Sequence, residues 1–500
     1  MEGHNLFITG SGGCGKSYLV ETLNSTFRAR RKKVYLLAPT GQAAVNIEGR
    51  TTFNYMGWRP EDLGKTDQTL FDKARGQRVW KRITSTNVLI IDEISMVGKQ
   101  FFERLSYVIR KIRQTLRPLP ENVDDPFGGI QVILVGDFCQ LPPVGLGYCL
   151  AEIESDSKGK TSHSCGEELK QCRNTANWCC PKNNKHPVFS DSEKWAFKSE
   201  VWQRCNFSYV NLTTIHRQKD EGFVRILQSI RMGSIDDGDL DNLLQKRKTG
   251  NGTCLFSRKE DVKDYNDNEL KNIKGDPEEY DCADYPNSHG DNNDKQRYHQ
   301  NLSMKVGMPV ILLANIAVEE GLCNGSQGKV LRFVPHPEDE PKEPNRRNYK
   351  DDQLGYDVAC ARYKQIQDFK KNLKGDPEVR FSNGQRRVIG PDCSIFNIES
   401  VETTDGKRKL TYSSRTQIPL VPGWAMTIHK SQSLTLDPVT VDLWDAWDGR
   451  LTYVALSRAR SLQGLRVKAS RSNFRDNLEL DPEMERFMMI VERCSQDGNI

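Results

Sequence analysis

Short apolar runs alternate with helical patterns at the start of the chain, and this alternation restricts the possible folds more than any other feature. Two stretches, Ser17–Arg28 and Gly98–Arg113, carry apolar residues at helical spacing. Buried strands that alternate with amphipathic helices form parallel βαβ units. The sequence therefore predicts an α/β protein that begins with a parallel sheet. The four strand-like runs are Asn5–Thr9, Val34–Ala38, Val88–Asp92 and Gln131–Gly136.

Beyond residue 148 the pattern changes three times. A polar, cysteine-rich stretch covers 149–188, and helix–strand alternation then returns as far as Ser257. Short β runs separated by polar loops follow within 305–415, which is typical of a small barrel or a β-rich insertion. From Gln417 to Ala469 a strand–helix–strand pattern indicates a second parallel sheet.

The bulk composition excludes membrane and secreted classes but selects no function. The chain has 500 residues, a net charge of +5 and a mean hydropathy of −0.66. At ~150 residues per domain, this length suggests about three domains. No apolar run approaches the ~18 residues of a membrane span, and MEGHNLFITGSGG lacks the features of a signal peptide. Since one of the 14 cysteines lies in a glycine-rich loop, we expect an intracellular, reduced protein without a membrane partner.

A glycine-rich loop joins the first strand to the first helix. GSGGCGKS matches G-x-x-x-x-G-K-[ST] in the strand-to-helix context that this motif requires. Backbone N–H groups and a helix N-terminus bind phosphate oxygens there, so the sequence predicts a nucleotide site. Lys16 would reach the β/γ-phosphates and Ser17 would hold Mg²⁺. The predicted binding residues of the loop are Gly10, Gly12, Gly13, Cys14, Gly15, Lys16 and Ser17.

Two further strands end in polar groups suited to phosphate chemistry. VLIIDEISM places Asp92 to hold Mg²⁺ and Glu93 to polarise the attacking water, as ATP hydrolysis requires. LVGDFCQLPPV places Gln140 where it can sense the γ-phosphate, although a single loop glutamine is usually at the surface. We therefore expect ATP and Mg²⁺ as cofactors, with Ser17 and Asp92 holding the metal.

A third strand-to-helix junction and nearby aromatic residues are candidates for contact with a polyanion. APTGQAAVNI offers backbone amides near Thr40 and Gly41, as binding of a DNA phosphate would require. Base stacking on aromatic rings contributes ~1–3 kcal/mol per base. Packing of the same rings onto the first sheet is an equally good interpretation. The aromatic residues, which are interleaved with arginines, are Phe53, Tyr55 and Trp58.

The cysteine-rich stretch allows two interpretations. Structural zinc sites usually show ligand pairs at C-x₂₋₄-C spacing, whereas this stretch has C-x₆-C-x₆-CC. The spacing favours a loosely ordered loop with reduced thiols over a zinc site. No motif residue lies in the stretch, so we expect it to be dispensable for catalysis. Its candidate ligands are Cys149, Cys165, Cys172, Cys179, Cys180, His163 and His186.

Seven motifs together resemble one family. GSGGCGKS, APTGQAA, DEISM, GDFCQLPPV, IHRQ, IHKSQSLTL and YVALSRA occur in the order and approximate spacing of superfamily 1B DNA helicases. VGKQFFERLSYVIRKIR, followed by PFGGIQVILVGDFCQLPPV, resembles the signature of the petite-integration-frequency (PIF) family. The resemblance covers nearly the whole chain apart from the cysteine-rich stretch and the polar loops.

This resemblance implies two RecA-like parallel-sheet domains, a small wedge element and an SH3-like β-barrel inserted in the second domain. On that basis the first RecA-like domain covers 1–148, with the wedge at about 50–87. The second RecA-like domain covers 189–304 and 416–500, where the last part includes a C-terminal helix. The inserted barrel and its polar loops cover 305–415.

The resemblance also implies an ATP-dependent motor that moves 5′→3′ on single-stranded DNA and unwinds forked duplex and G-quadruplex DNA. The implied setting is DNA repair, recombination and telomere maintenance in the nucleus or mitochondrion, by a protein that is monomeric in solution. The residues carried over for catalysis are Lys16, Glu93, Gln140, Arg217 and Arg458. The residues carried over for DNA contact are Thr40, Gly41, His429 and Ser431, and Phe53 and Tyr55 join them as aromatic candidates for base stacking.

Three features depart from the family pattern. No glutamine-bearing segment precedes the first strand, so no adenine contact is assigned. Phe53 replaces a histidine, which substitutes stacking for a polar DNA contact, and Ser433 and Leu434 replace a Gly-Gln pair.

Two alternative functions stay open. One is another superfamily 1B motor, RecD-like or from a transposon, and the other is a nucleotide-gated clamp that binds single strands without unwinding.

Overall fold

The computed structural model describes residues 3–496 of the chain with several gaps. The gaps are 116–124, 144, 146, 154–162, 173–176, 248–251, 287–297, 318–319, 323, 337–340, 350–352, 403–407, 433, 446–448, 477 and 479. Backbone contacts divide the chain into two units. Unit 1 comprises Met1–His216, Arg231–Gly233 and Glu479–Ile500, and unit 2 comprises Arg217–Ile230 and Ser234–Leu478.

Unit 1 begins with five strands and six helices. The strands are β1 (Leu6–Gly10), β2 (Val34–Ala38), β3 (Arg50–Thr51), β4 (Val88–Ile91) and β5 (Gln131–Val135). The helices are α1 (Lys16–Ala29), α2 (Gly41–Asn46), α3 (Thr52–Met56), α4 (Asp67–Ala74), α5 (Gln77–Ser85) and α6 (Lys99–Gln114). The four predicted strands and two predicted helices end within one residue of the observed ends, because long apolar runs and helical apolar faces are strong signals.

Helix α6 attaches segment 50–87 to the core of unit 1. Its buried apolar residues are Phe101, Phe102, Leu105, Val108, Ile109 and Ile112. Arg104 is buried as well: its Nη2 donates to the carbonyl of Lys65 at 2.7 Å, and its Nε lies 3.0 Å from Asp67 Oδ1. Because a buried guanidinium needs several partners, Arg104 fixes the loop between α3 and α4.

The cysteine-rich stretch is ordered where the structure describes it, which corrects the predicted loose loop. Its strands are β6 (Glu152–Ile153), β7 (His163–Ser164), β8 (Lys170–Gln171), β9 (Asn177–Cys179) and β10 (Phe189–Ser190). β6 pairs with β7, and β8, β9 and β10 form a small antiparallel sheet. Cys172 and Cys179 form a disulfide, where we expected reduced thiols. Strands of two or three residues carry no periodic signal, so the sequence could not show them.

The sheet of unit 1 has a sixth strand that the sequence assigned to the other domain. After α7 (Glu200–Arg204), β11 (Ser208–Leu212) pairs in parallel with β1. The sheet order is β11-β1-β5-β4-β2-β3, with every pair parallel. Residues 189–216 therefore belong to unit 1 and not to the second domain. Alternation along the chain does not reveal which sheet a strand joins, and this caused the error.

Unit 2 combines helices with two kinds of sheet. Its helices are α8 (Glu221–Arg231, of which Arg231 is grouped with unit 1), α9 (Asp237–Leu244), α10 (Lys259–Asn272), α11 (Gln353–Lys370), α12 (Gly449–Leu456) and α13 (Arg471–Asp476). Its strands are β12 (Thr253–Phe256), β13 (Glu278–Asp281), β14 (Ala283–Tyr285), β15 (Asn301–Met304), β16 (Pro309–Leu312), β17 (Gln327–Val334), β18 (Asp376–Phe381), β19 (Arg386–Val388), β20 (Asp392–Glu402), β21 (Arg408–Gln417), β22 (Leu420–Pro422), β23 (Ala425–Thr427), β24 (Val439–Asp442) and β25 (Leu465–Lys468).

The parallel sheet of unit 2 has the order β23-β12-β24-β25. Between β12 and β23 in sequence, the insertion forms a five-stranded antiparallel sheet, β19-β18-β17-β16-β22, with the smaller sheets β13-β15 and β14-β21-β20. The antiparallel strands begin at Glu278, earlier than the predicted 305, because a polar loop separates the first of them from the rest. Two α/β units with parallel sheets and a β-rich insertion in the second agree with the predicted fold class.

The C-terminal helix α14 (Pro482–Gln496) packs in unit 1, which corrects its assignment to the second domain. Its buried residues Met484, Phe487 and Met488 join the aromatic core around Phe138. The ring of Phe487 stacks on Phe197 with centroids 4.2 Å apart. Among the described helices, none is long and apolar enough to cross a membrane.

Candidate active site

The glycine-rich loop between β1 and α1 has the backbone geometry of a phosphate-binding loop. Gly10 has a φ of 151°, and a Cβ there would lie 2.6 Å from the carbonyl oxygen of Leu212, so only glycine fits. Gly15, with a φ of 89°, caps the first turn of α1. Lys16 Nζ donates to the carbonyls of Gly10 at 2.6 Å and Ser11 at 3.0 Å. The loop therefore wraps around its own lysine in front of a helix N-terminus, where anions bind.

Two acidic residues follow β4. Asp92 is buried, and its Oδ1 accepts a hydrogen bond from the backbone N–H of Glu93 at 2.9 Å. Burial raises the pKa of Asp92, although the Glu93 N–H and the charge of Lys16 oppose this. Glu93 is half-buried and has a φ of 51°, a left-handed conformation that costs a residue with a side chain of the order of 1–3 kcal/mol. Such strain is found at functional positions, where the surrounding structure holds a side chain in one direction.

Asp137, which the sequence analysis missed, forms the centre of the polar group after β5. It is fully buried, and Arg231 binds it with two hydrogen bonds, at 2.8 Å to Oδ1 and 3.1 Å to Oδ2. Burial tends to raise the pKa of Asp137, but Arg231 and the Gln140 amide hold it below its ordinary value. Gln140 Nε2 lies 3.2 Å from Asp137 Oδ2, so Asp137 fixes the orientation of the predicted γ-phosphate sensor. An acid directly after an apolar strand in GDFCQ was the available signal.

The sheet order brings these residues together. β1, β5 and β4 are adjacent parallel strands, and Lys16, Asp137 and Asp92 follow their carboxyl ends. In open α/β sheets the ligand site lies outside this edge. The charge of Lys16 opposes the raised pKa of Asp92 and helps to lower that of Asp137, as expected for groups at one edge of the sheet. Lys16, Asp92 and Asp137, with Gln140 bonded to Asp137, therefore lie at one edge of the sheet.

In unit 2 a single turn gathers the two arginines predicted to act on ATP. Arg217 Nη1 donates to the carbonyl of Ser457 at 2.8 Å. Arg458, which is 2% exposed, donates from Nε to the Val454 carbonyl and from Nη2 to Ser457 Oγ, both at 2.7 Å. Gln218, missed by the sequence analysis although it lies in IHRQ, donates to the same turn at the carbonyls of Ser457 and Ala459. Arg217 and Gln218 of IHRQ therefore both bind the turn at the end of YVALSRA.

Of the unit 1 residues predicted to contact DNA, Tyr55 is a wrong assignment. Its ring is fully buried, and its hydroxyl lies 2.8 Å from Thr86 Oγ1. Trp58 is also buried, with Nε1 donating to the Leu70 carbonyl, so both rings pack in the core. On the helix α3, residues two apart point in nearly opposite directions, at about 100° per residue. The sequence alone did not show which side of α3 packs against the core.

The other unit 1 candidates lie at more accessible places. Phe53 is half-buried and stacks on Phe101 with ring centroids 4.9 Å apart. Thr40 and Gly41 lie where β2 leads into α2, and Thr40 Oγ1 accepts from the Ala43 N–H at 3.2 Å. The threonine hydroxyl thus serves the start of the helix. Phe53 is left as the aromatic candidate for base stacking in this segment.

In unit 2, His429 is exposed in a short 3₁₀ turn after β23, as a DNA-contacting residue must be. Ser431 is fully buried, and its hydroxyl donates to the Ile428 carbonyl at 2.7 Å, so its side chain does not face solvent. The assignment of Ser431 to DNA contact is therefore wrong. Ser433, one of the departures from the family pattern, lies outside the described residues.

Comparisons with known proteins agree with these motifs. Residues 1–155 match the family model of the PIF1-like helicase, and residues 297–333 match that of the DNA helicase Pif1 2B domain. ATP-dependent DNA helicase PIF1 of Xenopus laevis is 32% identical over 477 residues, which cover 93% of this chain and 59% of that protein. ATP-dependent DNA helicase Pif1 of a Psychrobacter species is 30% identical over 509 residues, covering 96% and 67%.

A solved structure extends the likeness to the fold. The crystal structure of Pif1 helicase from Candida albicans matches with a TM-score of 0.61 and 29% identity over 98% of this chain and 96% of that chain. The chain spans about three fifths of the length of the vertebrate relatives it matches. The sequence identity to the Psychrobacter protein and the motif order lead to one conclusion. This chain belongs to the PIF1-like helicase family.

Proposed function

We propose that the protein is an ATP-dependent DNA helicase that moves 5′→3′ along single-stranded DNA and unwinds forked duplex and G-quadruplex DNA. The observation that carries the proposal is the group formed by Lys16, Asp92 and Asp137 at the ends of three adjacent parallel strands. The relatives named above are ATP-dependent DNA helicases. We extend their activity to this chain together with their substrate, DNA.

ATP would bind with its phosphates on the glycine-rich loop. The N–H groups at the start of α1 and the ammonium group of Lys16 then bind the phosphate oxygens, in place of the carbonyls that Lys16 contacts now. Glu93, held by its strained backbone, orients the attacking water and accepts its proton. Gln140, fixed by Asp137, contacts the γ-phosphate.

The residues at this edge fit a magnesium ion. Ser17 has an exposed hydroxyl in the first turn of α1, and Asp92 offers a carboxylate. Oxygen donors of this kind are the ligands that Mg²⁺ prefers. Burial raises the pKa of Asp92, and a cation bound beside its carboxylate would oppose that shift. Bound with the nucleotide, Mg²⁺ supplies neutralisation of the phosphate charge.

Within unit 2, we assign Arg217 and Arg458 to ATP chemistry, as their motifs IHRQ and YVALSRA suggest. A guanidinium group carries a permanent charge and a fork of N–H donors that matches phosphate oxygens. Arg458 is held by two hydrogen bonds to its own turn, and Arg217 is tied to the same turn. Arg217 and Arg458 therefore belong to one hydrogen-bonded turn of unit 2.

DNA contact is assigned to Thr40, Gly41 and Phe53 in unit 1 and to His429 in unit 2. We further propose that 50–87 acts as the wedge that separates strands and that the five-stranded sheet of the insertion is the SH3-like barrel. The match of 297–333 to a Pif1 2B domain supports the second assignment. A monomer that acts on nuclear or mitochondrial DNA in repair, recombination and telomere maintenance completes the proposal.

The test is ATP turnover with and without single-stranded DNA, followed by unwinding of forks with either a 5′ or a 3′ tail. We expect DNA-stimulated hydrolysis and unwinding of the 5′-tailed fork only, and binding whose log–log salt slope is about −0.7 per phosphate contact. Stimulated hydrolysis without strand separation would indicate a nucleotide-gated clamp instead. Unwinding from the 3′ tail would contradict the direction, and the absence of hydrolysis would contradict the enzyme.

A further inference from the structure

Three cysteines and one histidine meet in the cysteine-rich stretch, among residues to which the proposed function assigns no role. Cys149, Cys165, Cys180 and His186 each offer one donor atom, and the four atoms all lie within 4.8 Å of one another. Cys149 and Cys180 are 1% and 4% exposed, and Cys165 is half-buried. Three sulfurs and one ring nitrogen, withdrawn from water, form a donor set of the Cys₃His type found in structural zinc sites.

Two of the distances between donor atoms are close to those of a tetrahedral zinc site. Cys165 Sγ lies 3.6 Å from Cys180 Sγ, and Cys149 Sγ lies 3.2 Å from His186 Nδ1. With Zn–S bonds of ~2.3 Å and Zn–N bonds of ~2.0 Å, neighbouring ligands around zinc are roughly 3.5–3.8 Å apart. A disulfide needs an S–S bond of ~2.05 Å, so Cys165 and Cys180 are not bonded to each other. Small movements of the side chains would suffice to bind the ion.

The backbone holds the donors in place from three separate segments. Cys149 N donates to the Glu167 carbonyl at 2.8 Å and Gly166 N to the Cys149 carbonyl at 2.9 Å, which pairs the segments of Cys149 and Cys165. Cys165 N also donates to the Ala151 carbonyl at 2.8 Å, which extends this pairing.

The third segment turns so that His186 returns to Cys180. His186 N donates to the Asn183 carbonyl at 3.2 Å, and Asn183 Nδ2 lies 3.2 Å from His186 Nε2. The second contact fixes the ring with Nδ1 facing Cys149. Contacts to the outer nitrogen of this kind orient metal-binding histidines.

We propose that Cys149, Cys165, Cys180 and His186 bind one structural Zn²⁺ ion that joins the three segments of the cysteine-rich stretch. Cys172 and Cys179 are excluded from the site because they are bonded to each other. His163 also lies in the stretch, but its side chain is outside the described ones. The zinc has no part in ATP chemistry, so this proposal stands independently of the proposed function.

The cysteine-rich stretch also touches segment 50–87. Ser164 Oγ donates to the Gly64 carbonyl at 2.6 Å. A Cβ on Gly64 would lie 2.6 Å from the carbonyl oxygen of Gly166, so the two backbones are in direct contact. Since Gly166 follows the ligand Cys165 directly, binding of the ion fixes the surface on which Pro60–Gly64 rests.

Zinc content measures the proposal directly. The full chain, produced in zinc-supplemented medium and passed through a desalting column, should contain one zinc per chain by inductively coupled plasma mass spectrometry. The Cys165→Ser/Cys180→Ser variant should contain less than a tenth of that. Cys172→Ser/Cys179→Ser, which changes two neighbouring cysteines outside the site, is the matched control and should keep its zinc.

X-ray absorption at the zinc edge of the unmodified protein covers the case in which the double variant fails to fold. We expect three sulfur ligands at ~2.3 Å and one nitrogen at ~2.0 Å. A folded wild-type chain with less than a tenth of a zinc, a double variant that keeps its zinc, or a ligand shell of oxygen would each overturn the proposal. Removal of zinc by a chelator should also speed amide exchange in 60–66 and leave β1 and β5 unchanged.

Discussion

The strand ends that carry Lys16, Asp92 and Asp137 and the zinc ligands Cys149, Cys165 and Cys180 lie in the same unit, and both sets come from distant parts of the chain. At the strand ends, each residue belongs to a contiguous motif, and the parallel sheet aligns the motifs at one edge. The zinc ligands lie in turns and beside strands of two or three residues. A site on a regular scaffold can therefore be recognised in the sequence, whereas a site assembled from paired loops has no local signature.

The largest expected effect is on ATP turnover, and it distinguishes the residues at the strand ends from the proposed zinc ligands. Glu93→Gln should reduce DNA-stimulated ATP turnover by ~10²–10⁴-fold, because the amide cannot accept a proton from the attacking water. Lys16→Ala should abolish turnover through loss of phosphate binding. Both variants should keep one zinc. In the reverse comparison, Cys165→Ser/Cys180→Ser should lose zinc and keep turnover within about threefold. Wild-type turnover in Glu93→Gln would remove this residue from catalysis.

Arg458→Ala tests whether a residue that was assigned to catalysis from a motif in unit 2 acts on ATP. An arginine that neutralises the transferring phosphoryl group contributes ~10³–10⁵ in rate in other systems, so kcat should fall by orders of magnitude. ATP binding should weaken only modestly, and nucleotide-free binding to single strands should persist. Arg460→Ala, at an exposed position two residues further on, is the control and should be near wild type. Retention of a tenth of normal turnover by Arg458→Ala would refute the assignment.

The buried ion pair of Asp137 and Arg231 allows a test of stability beside the strand ends of unit 1. Removal of one partner from a buried ion pair typically costs 3–5 kcal/mol, so Arg231→Ala should lower the free energy of unfolding by about that amount. Arg225, on the same helix α8, is largely exposed and pairs with Asp239. Arg225→Ala should therefore cost less than about 1 kcal/mol. Urea unfolding of both variants decides the matter, and equal losses would contradict the structural role of the Asp137 pair.

The same pair predicts a dependence of stability on pH. The folded state holds the pKa of Asp137 below its ordinary value of 3.8. Its carboxylate therefore stabilises the fold at pH values above about 4, and this contribution is lost as the pH falls through the folded-state pKa. Asp137→Asn should be less stable at neutral pH and should lose less on acidification than the wild type. Parallel curves of unfolding free energy against pH for the two proteins would be inconsistent with a depressed pKa.

What the sequence could and could not predict follows from the same comparison. The apolar run before Asp92 and the helical face of α6 predicted the elements and their ends, and the parallel sheet order then brought the residues proposed for catalysis to one edge. The spacing of Cys149, Cys165 and Cys180 argued against zinc, because ligand spacing is informative only when one hairpin carries a ligand pair. The sequence also did not show which residues of a short helix are buried. Tyr55 and Ser431 were therefore assigned to DNA contact, although both side chains are buried.

Phe53 and Tyr55 offer the finest test, because they lie two residues apart on α3 with opposite exposure. Phe53 is half-buried, and stacking of a base on such a ring contributes ~1–3 kcal/mol. Phe53→Ala should therefore weaken single-strand binding by about tenfold, with some loss of stability because the ring also stacks on Phe101. Tyr55→Phe removes only the hydroxyl that meets Thr86, which should cost about 0.5–1.5 kcal/mol of stability and leave DNA affinity unchanged. Fluorescence anisotropy with labelled oligonucleotides measures affinity, and urea unfolding measures stability. A loss of affinity in Tyr55→Phe, or none in Phe53→Ala, would show that the DNA-facing side of α3 has been assigned incorrectly.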